Sequence, residues 1–281
     1  MKIKYHCSSY FDNTALVELL EKAKVRIDIL EPRSIYNSFV FDIDSDNPFC
    51  SEALARVKLD PDPFIIETAI YSQKEMDDAQ WYTMEATRSM VGTTNFDFTY
   101  ECCCEYHTSC ETRYYHCVQV RPFVTKSIPK WKTRFHFCSS DGGDFSLIFC
   151  SNEARKSLIE NQIAGLDFLP VLKGDLTTVR DEIYQLDYLH TIDMDAFTPI
   201  GSYYEDICPV CGEKKLIFQK PMADNLRINR EKLPEGIDIF VSSRNFFYQG
   251  WGPRTVVVSK KVYNLIAKDL KEKHVRFIPI G

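Results

Sequence analysis

Two groups of cysteines carry the spacing of metal ligands. Cys208-Pro209-Val210-Cys211-Gly212 sets two thiols two residues apart at a turn, with Gly212 relaxing the backbone so that both sulfurs can face one ion. About 100 residues earlier Cys102, Cys103 and Cys104 are adjacent, and Cys104, His107 and Cys110 then succeed one another at two-residue gaps, with Cys117 following. Tetrahedral Zn²⁺ needs four such ligands, at about 2.3 Å for sulfur and about 2.0 to 2.1 Å for nitrogen. The spacing predicts a structural zinc held by Cys104, Cys110, Cys208 and Cys211, with His107, Cys102, Cys103 and Cys117 able to replace a member of the first pair. Such an ion would clamp two distant segments, and structural zinc in small peptides is worth about 10 to 16 kcal/mol of apparent binding free energy at neutral pH. Two other uses stay open: a reduced cysteine core without metal, and a redox pair. The redox pair should open a helix after a strand; here Gly212 and Leu216-Ile217-Phe218 favour a knuckle followed by a strand.

Other patterns give no support for catalysis. There is no H-E-x-x-H, and Ile207 rather than proline precedes Cys208, so the zinc protease and deaminase signatures are missing. G-x-S-x-G, phosphate-loop and dinucleotide glycine patterns are missing too. Asp42-Ile43-Asp44-Ser45-Asp46 begins like a calcium loop, but Asn47 and Ala53 occupy the glycine and glutamate positions, leaving a solvated strand end. His136 and His274 read as satisfied structural residues. Asp141-Gly142-Gly143-Asp144 is turn chemistry within a hairpin. Lys260, Lys261, Lys268, Lys271 and Lys273 read as a solvated helix face, and Phe246, Phe247, Tyr248 and Trp251 as core. The expectation is a protein that is not an enzyme.

Composition narrows the class further. The chain has 281 residues, 44% hydrophobic and 26% charged, which excludes a disordered or collagenous polymer. Thirty-four Lys and Arg against 40 Asp and Glu give a formal charge of -6, so affinity built mainly on phosphates is disfavoured and a basic partner suits it better. No apolar run approaches the roughly 18 residues of a spanning helix, and residues 1–7 lack a signal peptide's apolar stretch, so a cytoplasmic protein with no membrane partner is expected. The reducing compartment favours ligation over disulfides for clustered thiols, and makes Cys7, Cys50, Cys138 and Cys150 core fillers.

The elements that must position the cysteines fall into three parts. Residues 1–60 read as a small α/β segment with an amphipathic helix at 14–24, whose Leu16, Leu19 and Leu20 share a face, and strands at 26–30 and 38–43. Asp60-Pro61-Asp62-Pro63 breaks regular structure and sets a boundary. A strand at 64–70 follows, then Ser72-Gln73-Lys74-Glu75 in capping-box form opens a helix reaching about Thr83, with Ala79, Trp81 and Tyr82 on its buried face. Residues 147–171 then read as buried strand, serine N-cap, helix and strand, and residues 256–280 repeat that order. Ser151 matches Ser259, Phe168-Leu169-Pro170-Val171 matches Phe277-Ile278-Pro279-Ile280, and a cysteine cluster with a following glutamine and proline, Gln119 with Pro122 or Gln219 with Pro221, precedes each copy. The expected fold is α+β: two related strand-helix-strand halves, 64–175 and 176–281, with mostly antiparallel sheets joined by the cysteine site.

Two cysteine knuckles about 100 residues apart, each followed by glutamine and proline, with Phe-Ile-Pro-Ile near the end, resemble the bacterial double-CxxCG motif immunity proteins. The resemblance spans residues 64–281; Cys208 to Gly212 matches the motif strictly, whereas the first cluster departs from it, with Glu111 following Cys110. It implies a cytoplasmic antidote that binds a toxin delivered between neighbouring cells, with the toxin a basic protein. The alternative reading is a zinc-ribbon nucleic-acid-binding protein of phage or mobile-element origin, which would place a basic patch beside the knuckle, starting from Lys214, Lys215 and Lys220. The acidic total makes nucleic acid the less favoured partner.

Overall fold

Alternating apolar residues near the N-terminus produce a sheet with one covered face. The computed structural model describes residues 2–10, 12–29, 38–60, 64–92, 96–102, 117–132, 134–141, 147–193, 196–199, 203–207, 214–218, 226–248 and 254–280. The elements of the first unit are β1 (Lys2–Tyr10), α1 (Thr14–Lys22), β2 (Ile27–Ile29), β3 (Ser38–Asp44), α2 (Cys50–Val57), β4 (Phe64–Ile70) and α3 (Gln73–Asp78). The strands pair antiparallel in the order β2-β3-β1-β4. Cys7, Phe39, Phe41 and Ile43 meet Leu16, Leu19 and Leu20 of α1 and Ala53 and Val57 of α2 in one core. The Asn13 side chain accepts from the Leu16 N–H and caps α1. Helix α2 was not anticipated, although Cys50, Ala53 and Val57 recur at helical spacing and are all buried.

Two expectations change here. The two compact units are Met1–Asp78 and Ala79–Gly281, so the break at Asp60 to Pro63 is not the boundary. After it β4 returns to pair with β1, Cys7 opposite Ile65, because the sheet offers an unfilled edge there. The capping box does form, with the Ser72 N–H donating to Glu75 Oε2 at 2.8 Å and the Glu75 N–H to Ser72 Oγ at 3.3 Å. Its helix stops at Asp78, however, and Trp81 and Tyr82 open a strand, since burial between two other strands outweighs local helical continuation.

The second unit is α+β with several antiparallel sheets and reads as two passes through one plan. The first pass is β5 (Trp81–Ala86), β6 (Ser89–Gly92), α4 (Phe96–Thr99), β7 (Tyr100–Cys102), β8 (Cys117–Gln119), β9 (Phe123–Val124), β10 (Phe137–Asp141), β11 (Ile148–Ser151), α5 (Asn152–Glu160) and β12 (Leu166–Leu172). The second is β13 (Val179–Tyr188), β14 (Thr191–Ile192), β15 (Phe197–Pro199), β16 (Tyr203–Ile207), β17 (Lys214–Phe218), β18 (Leu226–Ile228), β19 (Ile239–Tyr248), β20 (Arg254–Ser259), α6 (Lys260–Tyr263), continued as a wider π-helical segment Asn264–Asp269, and β21 (Val275–Ile280). One sheet runs β6-β10-β11-β13-β12-β9; the other runs β16-β17-β19-β20-β5-β21, with β14 also on β19.

The quartets β10-β11-β13-β12 and β19-β20-β5-β21 share one register. Cys138 opposes Phe149 as Phe240 opposes Val257, and Ser151 opposes Ile183 as Ser259 opposes Trp81. Pro170 opposes Tyr184 as Pro279 opposes Tyr82. The third strand of each quartet comes from the other pass: β5 sits in the second sheet and β13 in the first. Each pass then returns to its own sheet, since β6 pairs parallel with β10 and β14 parallel with β19. The exchange is reciprocal, and the same backbone bonds flank both crossings: Ser139 N–H to Arg88 O at 2.9 Å and Val241 N–H to His190 O at 3.1 Å.

Equivalent positions carry different chemistry. Four residues past each serine, the Arg155 guanidinium lies 4.5 Å from the Tyr184 ring centroid in one copy, and the Tyr263 ring stacks on Tyr82 at 4.3 Å in the other. On the outer strands Arg276 opposes Glu85, whereas the matching pair is Asp167 opposite Asp187. Burial, reinforced by the Asp167 charge, raises the Asp187 carboxyl above its ordinary range. A carboxyl raised on folding opposes folding while it is ionised and stops doing so as pH falls through its folded value. Asp187→Asn is therefore expected to stabilise the protein by about 0.2 to 1 kcal/mol at neutral pH, a gain that fades as pH drops towards 4. Urea titrations at the two pH values check this; a loss of stability at neutral pH would refute it.

Candidate metal centre

The cysteines divide by surroundings. Cys7, Cys50, Cys138 and Cys150 are free and buried, as expected of core fillers. Burial pushes the Cys7 and Cys138 thiols up to about 12, with the Glu272 carboxylate adding to the effect at Cys138, and burial raises Cys50 and Cys150 as well. Metal ligation and nucleophilic attack both need the thiolate, so these four are held in the form that does neither.

The proposed ligands Cys104, Cys110, Cys208 and Cys211 lie outside the described residues, together with His107 and Cys103. The strands on either side of each cluster are described. The first cluster joins β7 to β8, an antiparallel pair whose innermost partners are Cys102 and Cys117. The second joins β16 to β17, also antiparallel, with Ile207 opposite Lys214 innermost. Paired strand residues have Cα atoms about 4.5 to 5.5 Å apart, so each cysteine segment leaves and re-enters its unit at neighbouring points. Both lie at corresponding places in their passes, after the crossing strand β6 or β14 and before β10 or β19.

Each bracket is also tied to a sheet. Strand β17 pairs parallel with β19, Leu216 opposite Phe246. Strand β8 is held through side chains: Gln119 Nε2 donates to Gln185 Oε1 at 3.0 Å and Gln185 Nε2 donates back to Gln119 Oε1 at 2.7 Å. Gln185 is buried on the exchanged strand β13, and this reciprocal amide pair satisfies polar groups that would be costly to bury alone. The glutamine following the first cluster therefore has a structural task. The corresponding Gln219 lies outside the described residues.

Sequence reasoning missed a polar contact that the duplication repeats with different residue types. His136 and Asp238 occupy matching positions, each accepting through its carbonyl from the N-cap serine N–H, Ser151 or Ser259, at 2.9 and 2.7 Å. In the first copy His136 Nδ1 lies 3.1 Å from Ser151 Oγ and 3.8 Å from Glu153. In the second Ser259 Oγ donates to Asp238 Oδ1 at 2.8 Å, and Lys261 reaches Asp238 at 3.2 Å. The buried Glu272 accepts from the backbone N–H groups of His136, Lys273 and His274, at 2.5, 2.8 and 2.7 Å. Serine, histidine and glutamate thus meet, but not as an acyl-transfer triad. Ser151 Oγ is occupied accepting the Ala154 N–H at the start of α5, and Glu272 addresses the backbone of His136 rather than its ring.

One polar concavity among the described residues is a cleft of about 280 Å³ lined by His190, Thr191, Ile192, Asp193, Ala196, Lys232 and Pro234. Its ionisable side chains are solvent-exposed, so it offers no desolvated acid and base. Among the described residues no group of three or more His, Cys, Asp or Glu side chains is arranged to hold a metal ion, and no helix is long and apolar enough to cross a membrane.

No protein-family model matches the chain, and no curated protein matches it at a significant level. Fold and site together define a class: an α+β protein whose second unit is a strand-exchanged duplication, with one cysteine cluster bracketed by an antiparallel strand pair in each repeat.

Proposed function

We propose that this chain is a non-catalytic immunity protein of the double-CxxCG type, stabilised by structural zinc, which binds and silences a basic protein toxin delivered between bacterial cells. The observation that carries the reading is the placement of the two cysteine clusters at corresponding positions of a duplicated unit, each entered and left by paired strands. Two short cysteine segments anchored in this way suit ligation by thiolates, which need fixed backbone exits more than a cleft. The buried polar contacts support the same reading, because they are spent on helix caps and loop closure. The zinc-ribbon nucleic-acid reading is the less favoured, because the chain's formal charge of -6 disfavours affinity built mainly on phosphates.

Co-expression of the full chain with the product of the neighbouring toxin gene tests this. The expected result is a stable complex on size exclusion and rescue of growth in cells making the toxin. A toxin that neither binds nor is neutralised would reject the reading. Retention on DNA or RNA at low salt, lost at high salt, would move the assignment to the alternative.

A further inference from the structure

The two strand crossings of the duplicated unit are built alike and charged unlike. At the first, the Thr87 N–H donates to the His274 carbonyl at 2.8 Å; at the second, the Leu189 N–H donates to the Gly165 carbonyl at 3.0 Å. Lys271 and Gln162 both stand in the left-handed backbone region just past their helices, at φ 52° and 50°. Arg134 and Gly236 occupy matching left-handed turns, at φ 69° and 75°. Five exposed cations, Arg88, Lys132, Arg134, Lys271 and Lys273, gather at the first crossing. The matching residues at the second are His190, Pro234, Gly236, Gln162 and Ala164, so the backbone plan does not require the charge.

Contacts place these cations together. The Arg88 guanidinium lies 4.9 Å from the Phe135 ring centroid, and the His274 ring meets the same ring edge-on at 4.8 Å. The Phe135 N–H donates to the Lys132 carbonyl at 2.9 Å across the turn that carries Arg134, and the Lys273 N–H reaches the Arg134 carbonyl at 3.3 Å. None of the five has an ion-pair partner among the described residues. Glu272, between Lys271 and Lys273, is buried and spends its oxygens on three backbone N–H groups.

Neighbouring acids do not cancel the charge. Residues 85–88, 130–136 and 268–276, taken with Glu153 near His136 and with Glu182, whose carbonyl accepts from Trp131, hold eight Lys and Arg against five carboxylates. The matching residues 187–190, 232–238 and 159–167, with Lys261 and Gln80, hold two against five. Residues 79–281 hold 25 of each sign, so the formal charge of -6 lies in residues 1–78 and the cationic crossing is a local concentration within a neutral unit.

Arg134 gives an independent sign. A side chain enters the left-handed region only at a cost that glycine avoids. A Cβ at Gly236 would meet nothing within 4 Å, so glycine stands there for its backbone and not for space. The first crossing carries arginine in the same strained conformation without an ion pair to offset it among the described residues. Strain of this kind collects where a side chain is held out for a ligand.

We infer that the first crossing binds a compact anion with clustered phosphates, of the short polyphosphate or nucleoside triphosphate class. Protein contact faces are poor in lysine and centre on apolar anchors, whereas three of these five cations are lysines and no large exposed apolar residue lies on their turns. Cations confined to two adjoining turns suit a ligand whose charges are equally close together. The arginines can address phosphate oxygens with paired donors, and the lysines act as point charges. The site is independent of the proposed toxin binding, and either can fail alone.

Calorimetric titration of the full chain with tripolyphosphate at physiological salt tests the site. Tripolyphosphate is expected to bind about 10-fold or more tightly than orthophosphate. Arg134→Gly should weaken binding by about 5-fold or more while leaving the unfolding midpoint equal or higher, because glycine suits the backbone there. Arg88→Gln with Lys273→Gln should weaken it by about 10-fold or more. Lys156→Gln with Lys173→Gln, at exposed positions outside the crossing, should leave it within about 2-fold. Replacing tripolyphosphate by adenosine triphosphate should reproduce the same ranking of variants. No binding to the unaltered chain, a signal that survives both crossing variants as chelation of a bound metal would, or equal loss in the control pair overturns the site. A lower unfolding midpoint for Arg134→Gly overturns the reading of its strain. A short polyglutamate peptide bound as tightly overturns phosphate as the ligand, and DNA bound more tightly than tripolyphosphate overturns the compact anion in favour of nucleic acid.

Discussion

Replacing Tyr82 by alanine is expected to destabilise the protein by about 3 to 5 kcal/mol, the range for emptying a buried aromatic position. Tyr82 is fully buried on β5, the strand that the first repeat lends to the second sheet. Its ring stacks on Tyr263 and meets Phe277 edge-on at 6.3 Å, and its hydroxyl donates to the Ala79 carbonyl at 3.0 Å. The lost ring would open a cavity at the point where β20, β5 and β21 converge, Val258 and Pro279 standing on either side. Natural domains are stable by only about 5 to 15 kcal/mol, so the loss would be a large fraction of the total. The matching Tyr184→Ala should cost much less, about 0.5 to 2 kcal/mol, because Tyr184 is half-buried and meets the Arg155 guanidinium instead of a second aromatic ring. Urea unfolding followed by fluorescence measures both. Equal costs would show that the exchanged strand does not key the second sheet.

Serine at both Cys208 and Cys211 is expected to abolish zinc binding and to lower the thermal midpoint strongly, given the size of structural zinc binding energies. Serine at Cys104 and Cys110 distinguishes two arrangements by stoichiometry. With one ion clamping both segments, either double variant empties the protein of zinc. With one ion per cluster, each variant loses half. Elemental analysis of purified protein reads the difference, and unaltered zinc content in both variants would remove the metal from the proposal. Cys138→Ser serves as the contrast, because burial keeps that thiol protonated: zinc content should stay unchanged even if the buried hydroxyl costs about 1 to 3 kcal/mol.

Much of the architecture was legible in the chain because local chemistry states it. The leucines of α1 mark a covered face, Ser151 and Ser259 mark helix starts, and the two Phe-x-Pro strands mark corresponding ends; each was assignable without knowing its neighbours. Errors arose where a segment's partner is distant. Trp81 and Tyr82 look like the continuation of a capped helix until β20 and β21 are present to enclose them. The strand after Pro63 looks like a new domain until β1 presents an edge to it. Of the candidate site, only the strand after the second cluster, at Leu216 to Phe218, was read from the sequence; β7, β8 and β16 were not, because each is short and is defined by the strand it pairs with. The pairing of His136 with Ser151, and of Asp238 with Ser259, was not, since neither histidine nor aspartate carries a signal of what lies across the sheet.

The order of residues by itself determined the class of chain, an α+β protein made of an acidic N-terminal part and a duplicated remainder, because composition, periodicity and repetition are properties of the string. Only the tertiary structure decided that the repeats trade strands. A strand's pattern says which face is buried but not which neighbour supplies the hydrogen bonds, and β5 and β13 each found their partners in the other half.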